Sequence, residues 1–259
     1  MSNIRTVSDT KRAFYTTHTR PISSIYRRVV EELMVEMHLL SVNAEFQYDS
    51  IYALGVVTTF DRFMKGYRPS EDLSSIFTAL CQAMDGVDAN QYRHDAETLL
   101  QGISQLSKED LGQILDQADT AQGSGGTDLP SQLSSIAHAS SFKYSRLFAI
   151  GWLTILEAVD EVMVKDDAQL EASVQKLCEL LKLSKDKVDK DIEIYRGNLE
   201  KLQQAQEVLE DVLKADRKKR EERAHATSDQ ADSESGSSDA EAEASTEENG
   251  TSESDNTEG

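Results

Sequence analysis

Five histidines, two cysteines and a large excess of carboxylates are the side chains of this 259-residue chain that could do chemistry. His18, His38, His94, His138 and His225 never stand at metal-ligand spacing with one another or in a His-Glu-x-x-His arrangement. The di-metal helix-bundle signature needs two Glu-x-x-His pairs and only Glu222 with His225 has that spacing, so the signature is missing. His94 and Glu97 lie three apart on a predicted helix, which makes a solvated surface contact. Cys81 has no nearby base, and Cys178 falls between Leu177 and Leu181. Both cysteines are in phase with apolar stripes and read as buried free thiols, not nucleophiles. Paired carboxylates such as Glu31-Glu32 and Asp166-Asp167 are adjacent on helices, where neighbours point to different faces and solubilise the surface. Gly123-Ser124-Gly125-Gly126 lacks both the lysine of a phosphate loop and a preceding apolar strand. These absences predict a protein with no catalytic residue, no cofactor and no metal site.

The elements that position these residues read as helices throughout. Leu, Glu, Lys, Gln and Ala dominate, with three prolines, and these side chains lose little rotamer freedom on a helix. An all-α fold is expected: one helical bundle over residues 1–183, a long protruding coiled-coil-like helix over 184–223, and a disordered acidic tail over 224–259.

In the bundle, Val7 to Thr10 opens a short helix, and Pro21 begins a longer one to about Leu40. Asp49 caps a third through Phe63, stopped by Gly66 and Arg68-Pro69. Ser70 caps a fourth, Asp88 starts a fifth through Leu100, and Ser107 with Asp110 forms a capping box for a sixth. The glycine-rich stretch Asp119 to Pro130 is a flexible connection. Beyond it, a helix over Phe142 to Val164 is apolar on nearly all sides and therefore central. Its apolar run, Leu147 to Leu156, is half the ~20 residues that a membrane-spanning helix needs. A further helix spans about Asp167 to Leu181.

From Val188 the apolar positions step by four and three through Ile192, Tyr195, Leu199, Leu202, Leu209 and Leu213, with Gln206 as a polar break. From Ser184 to Arg223 such a helix would be ~60 Å long, at ~1.5 Å per residue. Its seam, Leu199, Leu202, Leu209 and Leu213, is the expected partner-binding element. Phe142, Lys143, Tyr144 and Arg146, which mix aromatics and cations ahead of the apolar core, are a second candidate docking site.

Charge is unevenly distributed. Residues 224–259 hold eleven Asp or Glu and no Lys or Arg; setting those eleven aside from the total of −20 leaves −9 for residues 1–223. That balance argues against a nucleic-acid surface, where Lys and Arg must neutralise phosphates. Lys214 to Arg223 carries six basic and three acidic residues, suited to an acidic partner or to anionic lipid. The tail has no apolar side chain larger than Ala and is expected to stay disordered. Met1 to Arg12 shows neither an apolar signal core nor an Arg-rich transit pattern.

Several strings resemble a known family: Arg5-Thr-Val-Ser-Asp-Thr-Lys-Arg12, His18-Thr-Arg-Pro-Ile22, Ile25-Tyr-Arg-Arg-Val-Val-Glu-Glu-Leu33 and Ala53-Leu-Gly-Val-Val-Thr-Thr-Phe-Asp-Arg-Phe-Met-Lys-Gly-Tyr67. Phe142-Lys-Tyr-Ser-Arg-Leu-Phe-Ala-Ile-Gly151 and Ala215-Asp-Arg-Lys-Lys-Arg-Glu-Glu-Arg223 belong with them. Together they resemble the thylakoid formation family of cyanobacteria and plastids, described as photosystem II biogenesis factors, in its cyanobacterial form. The resemblance spans residues 4–223. It implies an all-helical fold with a protruding C-terminal helix and a peripheral place on the cytoplasmic face of the thylakoid membrane. It further implies partnership with an FtsH-type membrane protease complex and with photosystem II components during assembly and repair. It supplies no catalytic residue. A runner-up expectation is a peripheral protein that organises thylakoid lipid directly through its basic C-terminal helix.

Overall fold

The computed structural model describes residues 5–84, 88–119, 126 and 128–234, and it gives no account of side chains 209, 210, 213, 216, 220 and 221–234. Every regular element among the described residues is an α-helix. They are α1 (Val7–Thr17), α2 (Ser24–Ser41), α3 (Ser50–Phe63), α4 (Asp72–Gln82), α5 (Ala89–Ile103) and α6 (Lys108–Gln117). There follow α7 (Leu129–Ala137), α8 (Arg146–Val159), α9 (Glu161–Lys165), α10 (Asp167–Leu181) and α11 (Lys185–Glu234).

Local chemistry sets many of the boundaries. Thr6 and Asp9 close a capping box on α1, and Ser107 and Asp110 close another on α6. Side chains of Asp49, Asp88, Asp128, Ser145, Asp160 and Asp166 accept from first-turn amides of the helices they start. The expected cap of α4 at Ser70 is replaced by Glu71, which makes no side-chain cap bond. Gly66 adopts φ +83° just after α3, a conformation that costs glycine little.

Two expectations in the bundle are corrected. The stretch expected to be a connection ends in α7, where Asp128 caps and Pro130 sits in the first turn, so Leu129 and Leu133 are buried. The single helix expected from Phe142 to Val164 is two. Phe142 to Tyr144 are irregular, Ser145 caps α8, and Asp160 ends α8 and caps α9 with extended backbone.

At the centre, α3 crosses α8 with almost no space between the backbones. A Cβ added at Gly55 would lie 1.7 Å from the Leu147 carbonyl oxygen, and one added at Gly151 would lie 1.9 Å from that of Ile51. Each glycine therefore opens the space the other helix fills. Around the crossing, Ile51, Leu54, Leu147, Trp152 and Ile155 are buried, and α5 covers the other flank of α3.

The chain divides into two compact units, residues 1–206 and 207–259, with the boundary inside α11. The first unit therefore takes in α11 as far as Gln206, beyond the division expected before Ser184. The reason is burial: Val188, Ile192, Tyr195 and Leu202 join the core of that unit. In the second unit, α11 continues past Arg223 to Glu234, so residues 224–234, expected in the tail, are helical backbone. A helix already nucleated propagates cheaply, and Ala224, Ala226 and Ala231 favour it. The rest of the expected tail, 235–259, lies outside the described residues.

Candidate functional site

The α11 seam begins as bundle core. Val188, Ile192 and Tyr195 are buried, Leu199 is half-buried against the cluster, and Leu202 is 8% exposed. Polar contacts fix the same stretch. The Arg62 guanidinium donates to Glu157 and, at 3.4 Å, to the Tyr195 hydroxyl, while Arg196 donates to the Val164 carbonyl at 2.8 Å. The polar break in the heptad, Gln206, uses its amide to donate to the Lys65 carbonyl at 2.7 Å and to the Tyr26 hydroxyl at 3.1 Å. A residue that looks like a flaw in a coiled-coil seam is thus a clasp on the turn at Gly66.

Of the four seam leucines expected to bind a partner, Leu202 is a core residue of this chain and Leu199 packs against that core. The side chains of Leu209 and Leu213 lie outside the described residues. On α11 of the second unit, Val208 and Val212, four apart, are 64% and 52% exposed.

Phe142, Lys143, Tyr144 and Arg146 come together ahead of α8, and three of them have partners within the chain. Phe142 meets Phe148 edge-on at 5.0 Å between centroids. The Tyr144 hydroxyl donates to Asp191 at 2.8 Å, and Lys187 sits 4.9 Å over its ring. Arg146 reaches across to Glu36 on α2 at 2.5 Å. Burial lifts the Tyr144 phenol well above its usual range, and Asp191 lifts it further. Burial also raises the Glu36 carboxyl, against the pull of Arg146. The segment ties α2, α8 and α11 together. Lys143 is half-buried.

Between α2, α3, α8 and α11 lies a groove of about 530 Å³ that the sequence did not reveal. Ile25, Val29, Leu33, Leu147, Ile150 and Leu202 form its apolar walls. Arg28, Glu32, Glu36, Arg146 and Lys201 line it as charged groups.

Thiol and metal chemistry have little footing. Cys81 and Cys178 are free and buried, and burial pushes their thiols up to about 12 and about 11, which keeps them protonated and unreactive. Among the described residues no group of His, Cys, Asp and Glu converges to hold a metal ion, and no helix is long and apolar enough to cross a membrane.

The model of the thylakoid formation protein family matches residues 6–224. This chain belongs to the thylakoid formation protein family. Among its relatives, Protein Thf1 of Gloeothece citriformis is 54% identical over 86% of this chain and 97% of its own length. Protein Thf1 of Nostoc sp. strain PCC 7120 is 55% identical over 88% and 97%. In fold the chain is similar to the solved structure of Psb29 at 1.55 Å, with TM-score 0.70 and 42% identity, covering 83% of this chain and 98% of that one. The matched span of the family model ends at 224, so the acidic residues beyond lie outside it. Members of the thylakoid formation family are biogenesis factors, and the all-helical fold inferred from the sequence is the fold of this chain.

Proposed function

We propose that this thylakoid formation protein is a non-enzymatic accessory factor that binds and stabilises an FtsH-type membrane protease complex during photosystem II assembly and repair. In this reading it acts peripherally on the cytoplasmic face of the thylakoid membrane and also meets photosystem II components. The observation that carries a partner-binding role is the pair Val208 and Val212, apolar and exposed on one face of α11. Two large apolar side chains held in water one turn apart favour burial against another protein, at ~25 cal/mol per Å² of apolar surface covered. The assignment of the partner rests on what the family resemblance implies. Phe142, Tyr144 and Arg146, the second candidate docking site, hold contacts within the chain, which favours α11 as the first place to test.

The test is affinity purification from solubilised thylakoids, comparing the native protein with the double variant Val208→Lys, Val212→Lys. FtsH-type protease subunits should co-elute with the former and be lost from the latter, with both proteins melting alike. Equal recovery by both would move the contact elsewhere. The second reading, direct lipid binding through Lys214 to Arg223, predicts salt-sensitive flotation of the purified protein with anionic liposomes and no protein partner.

A further inference from the structure

Past Gln206, α11 runs on as one unbroken helix to Glu234, and its exposed face carries a pattern of its own. Val208, Val212, Ala215 and Lys219 recur at four, three and four residues, which sets them on one stripe, and all four are exposed. This stripe is distinct from the seam of Leu199 and Leu202, which the bundle core takes up.

Charge along the same stretch is sorted end to end. Glu207, Glu210 and Asp211 give −3 just ahead of Val212, and Lys214 to Arg223, six basic less three acidic residues, gives +3. A helix that is negative at one end and positive at the other complements a copy of itself only when that copy is turned around. Parallel and in register, two copies would set Lys219 against Lys219 in the middle of the contact and like charges along its length. Antiparallel, the acidic end of each meets the basic end of the other.

We propose that this stretch of α11 binds a second copy of the chain, the two helices antiparallel about a two-fold axis between residues 213 and 214. Val212 of each copy then packs on the partner's Ala215, whose small side chain lets the helices approach, and Val208 lies along the aliphatic stem of the partner's Lys219. On the flank, Asp211 stands beside the partner's Lys218, and the symmetry makes that contact twice; both side chains are exposed in the single chain. From Val208 to Lys219 the contact is ~17 Å of helix at ~1.5 Å per residue, too short to bury the ~1,200–2,000 Å² of a stable complex. The pair is therefore weak, with a dissociation constant of roughly 10–100 µM, and is loosened by salt. The inference rests on the reading of Val208 and Val212 as a binding face, and adds that a second copy covers this face until a larger partner displaces it.

The experiment is sedimentation equilibrium of the purified full-length protein over concentrations that bracket that range. A reversible monomer–dimer equilibrium is expected, roughly tenfold weaker in ~0.5 M than in ~0.05 M salt. Asp211→Lys and Lys218→Asp, each at an exposed position, should each weaken it roughly tenfold, because each sets like charges against one another. An equimolar mixture of the two variants should recover the native strength, since every flank contact then pairs a lysine with an aspartate. Val208→Lys with Val212→Lys should stay monomeric. A native protein that is monomeric throughout, or a mixture no stronger than either variant alone, overturns the proposal. So does undiminished self-association of the valine double variant, which would place the contact elsewhere. All of these readings come from the purified chain alone, so they are independent of whether protease subunits co-elute from thylakoids, and either result can fail without the other.

Discussion

The crossing of α3 and α8 and the docking of α11 are two ways of holding a helix in the same molecule. At the crossing the backbones touch, because Gly55 and Gly151 carry no side chains and α8 is buried on nearly every face. Along α11 the contacts are made by long side chains, Tyr195, Gln206, Arg196 and the guanidinium of Arg62 reaching from α3. Backbone contact leaves no room to adjust, whereas side-chain contact holds a helix at a distance and leaves a groove beside it. The difference locates tolerance to change on the α11 side and intolerance at the crossing.

The largest expected effect falls at the crossing. Gly151→Ala would put a methyl group inside the Ile51 carbonyl and should cost ~3 kcal/mol, the upper end for overpacking. Melting should drop by ~6–12 °C for a domain of this size, as thermal unfolding would show. A shift under ~2 °C would mean the helices separate easily, and the contrast with α11 would collapse. Next comes a comparison within α11. Leu202→Lys, which buries an ammonium among apolar walls, should cost ~2–4 kcal/mol, whereas Val208→Lys should stay within ~0.5 kcal/mol in denaturant titration. Equal effects would erase the boundary near Gln206.

A smaller effect concerns Asp49, the cap of α3. Burial pushes its carboxyl up to about 7, against the lowering by the Tyr52 and Ile51 amides. Because the folded state then holds the proton to higher pH than the unfolded chain, this group's contribution to stability falls as pH rises from about 4 to about 7. Above about 7 the cost is fully present. Asp49→Asn keeps a capping oxygen and should remove that fall, leaving the variant more stable than the native protein at pH 8 and less so, relative to it, at pH 4. Identical pH profiles for the two proteins would show that the carboxyl is better solvated than its burial implies.

Much of this fold was legible because helix ends are local. Asp49, Asp88, Ser107 with Asp110 and the stop at Gly66 are written in the residues next to them, and the structure uses each one. The misreadings came where a local signal was outweighed. The apolar stripe across residues 142–164 hid the Asp160 cap that splits it, and the glycines before Asp128 hid the start of α7. A heptad in sequence does not say whose surface it meets, so Leu199 and Leu202 read as a partner seam when their partner is their own bundle. The groove could not be read at all, since its walls come from helices far apart in the chain. Gly55 and Gly151 did leave a signal: a lone glycine inside an apolar helix lowers helicity by ~1 kcal/mol against alanine, and such a loss implies a close neighbour.

The mutual fit of those two glycines also limits how this chain can change. In an ordinary core pair, a larger residue on one side is accommodated by a smaller one opposite, so sequences can drift through compensated swaps. Here Gly55 faces the backbone at Leu147 and Gly151 faces the backbone at Ile51, and carbonyl groups cannot be shortened. Neither position has a compensating partner, because both are already at the smallest side chain available. The crossing is therefore a fixed point around which the surrounding helices can vary.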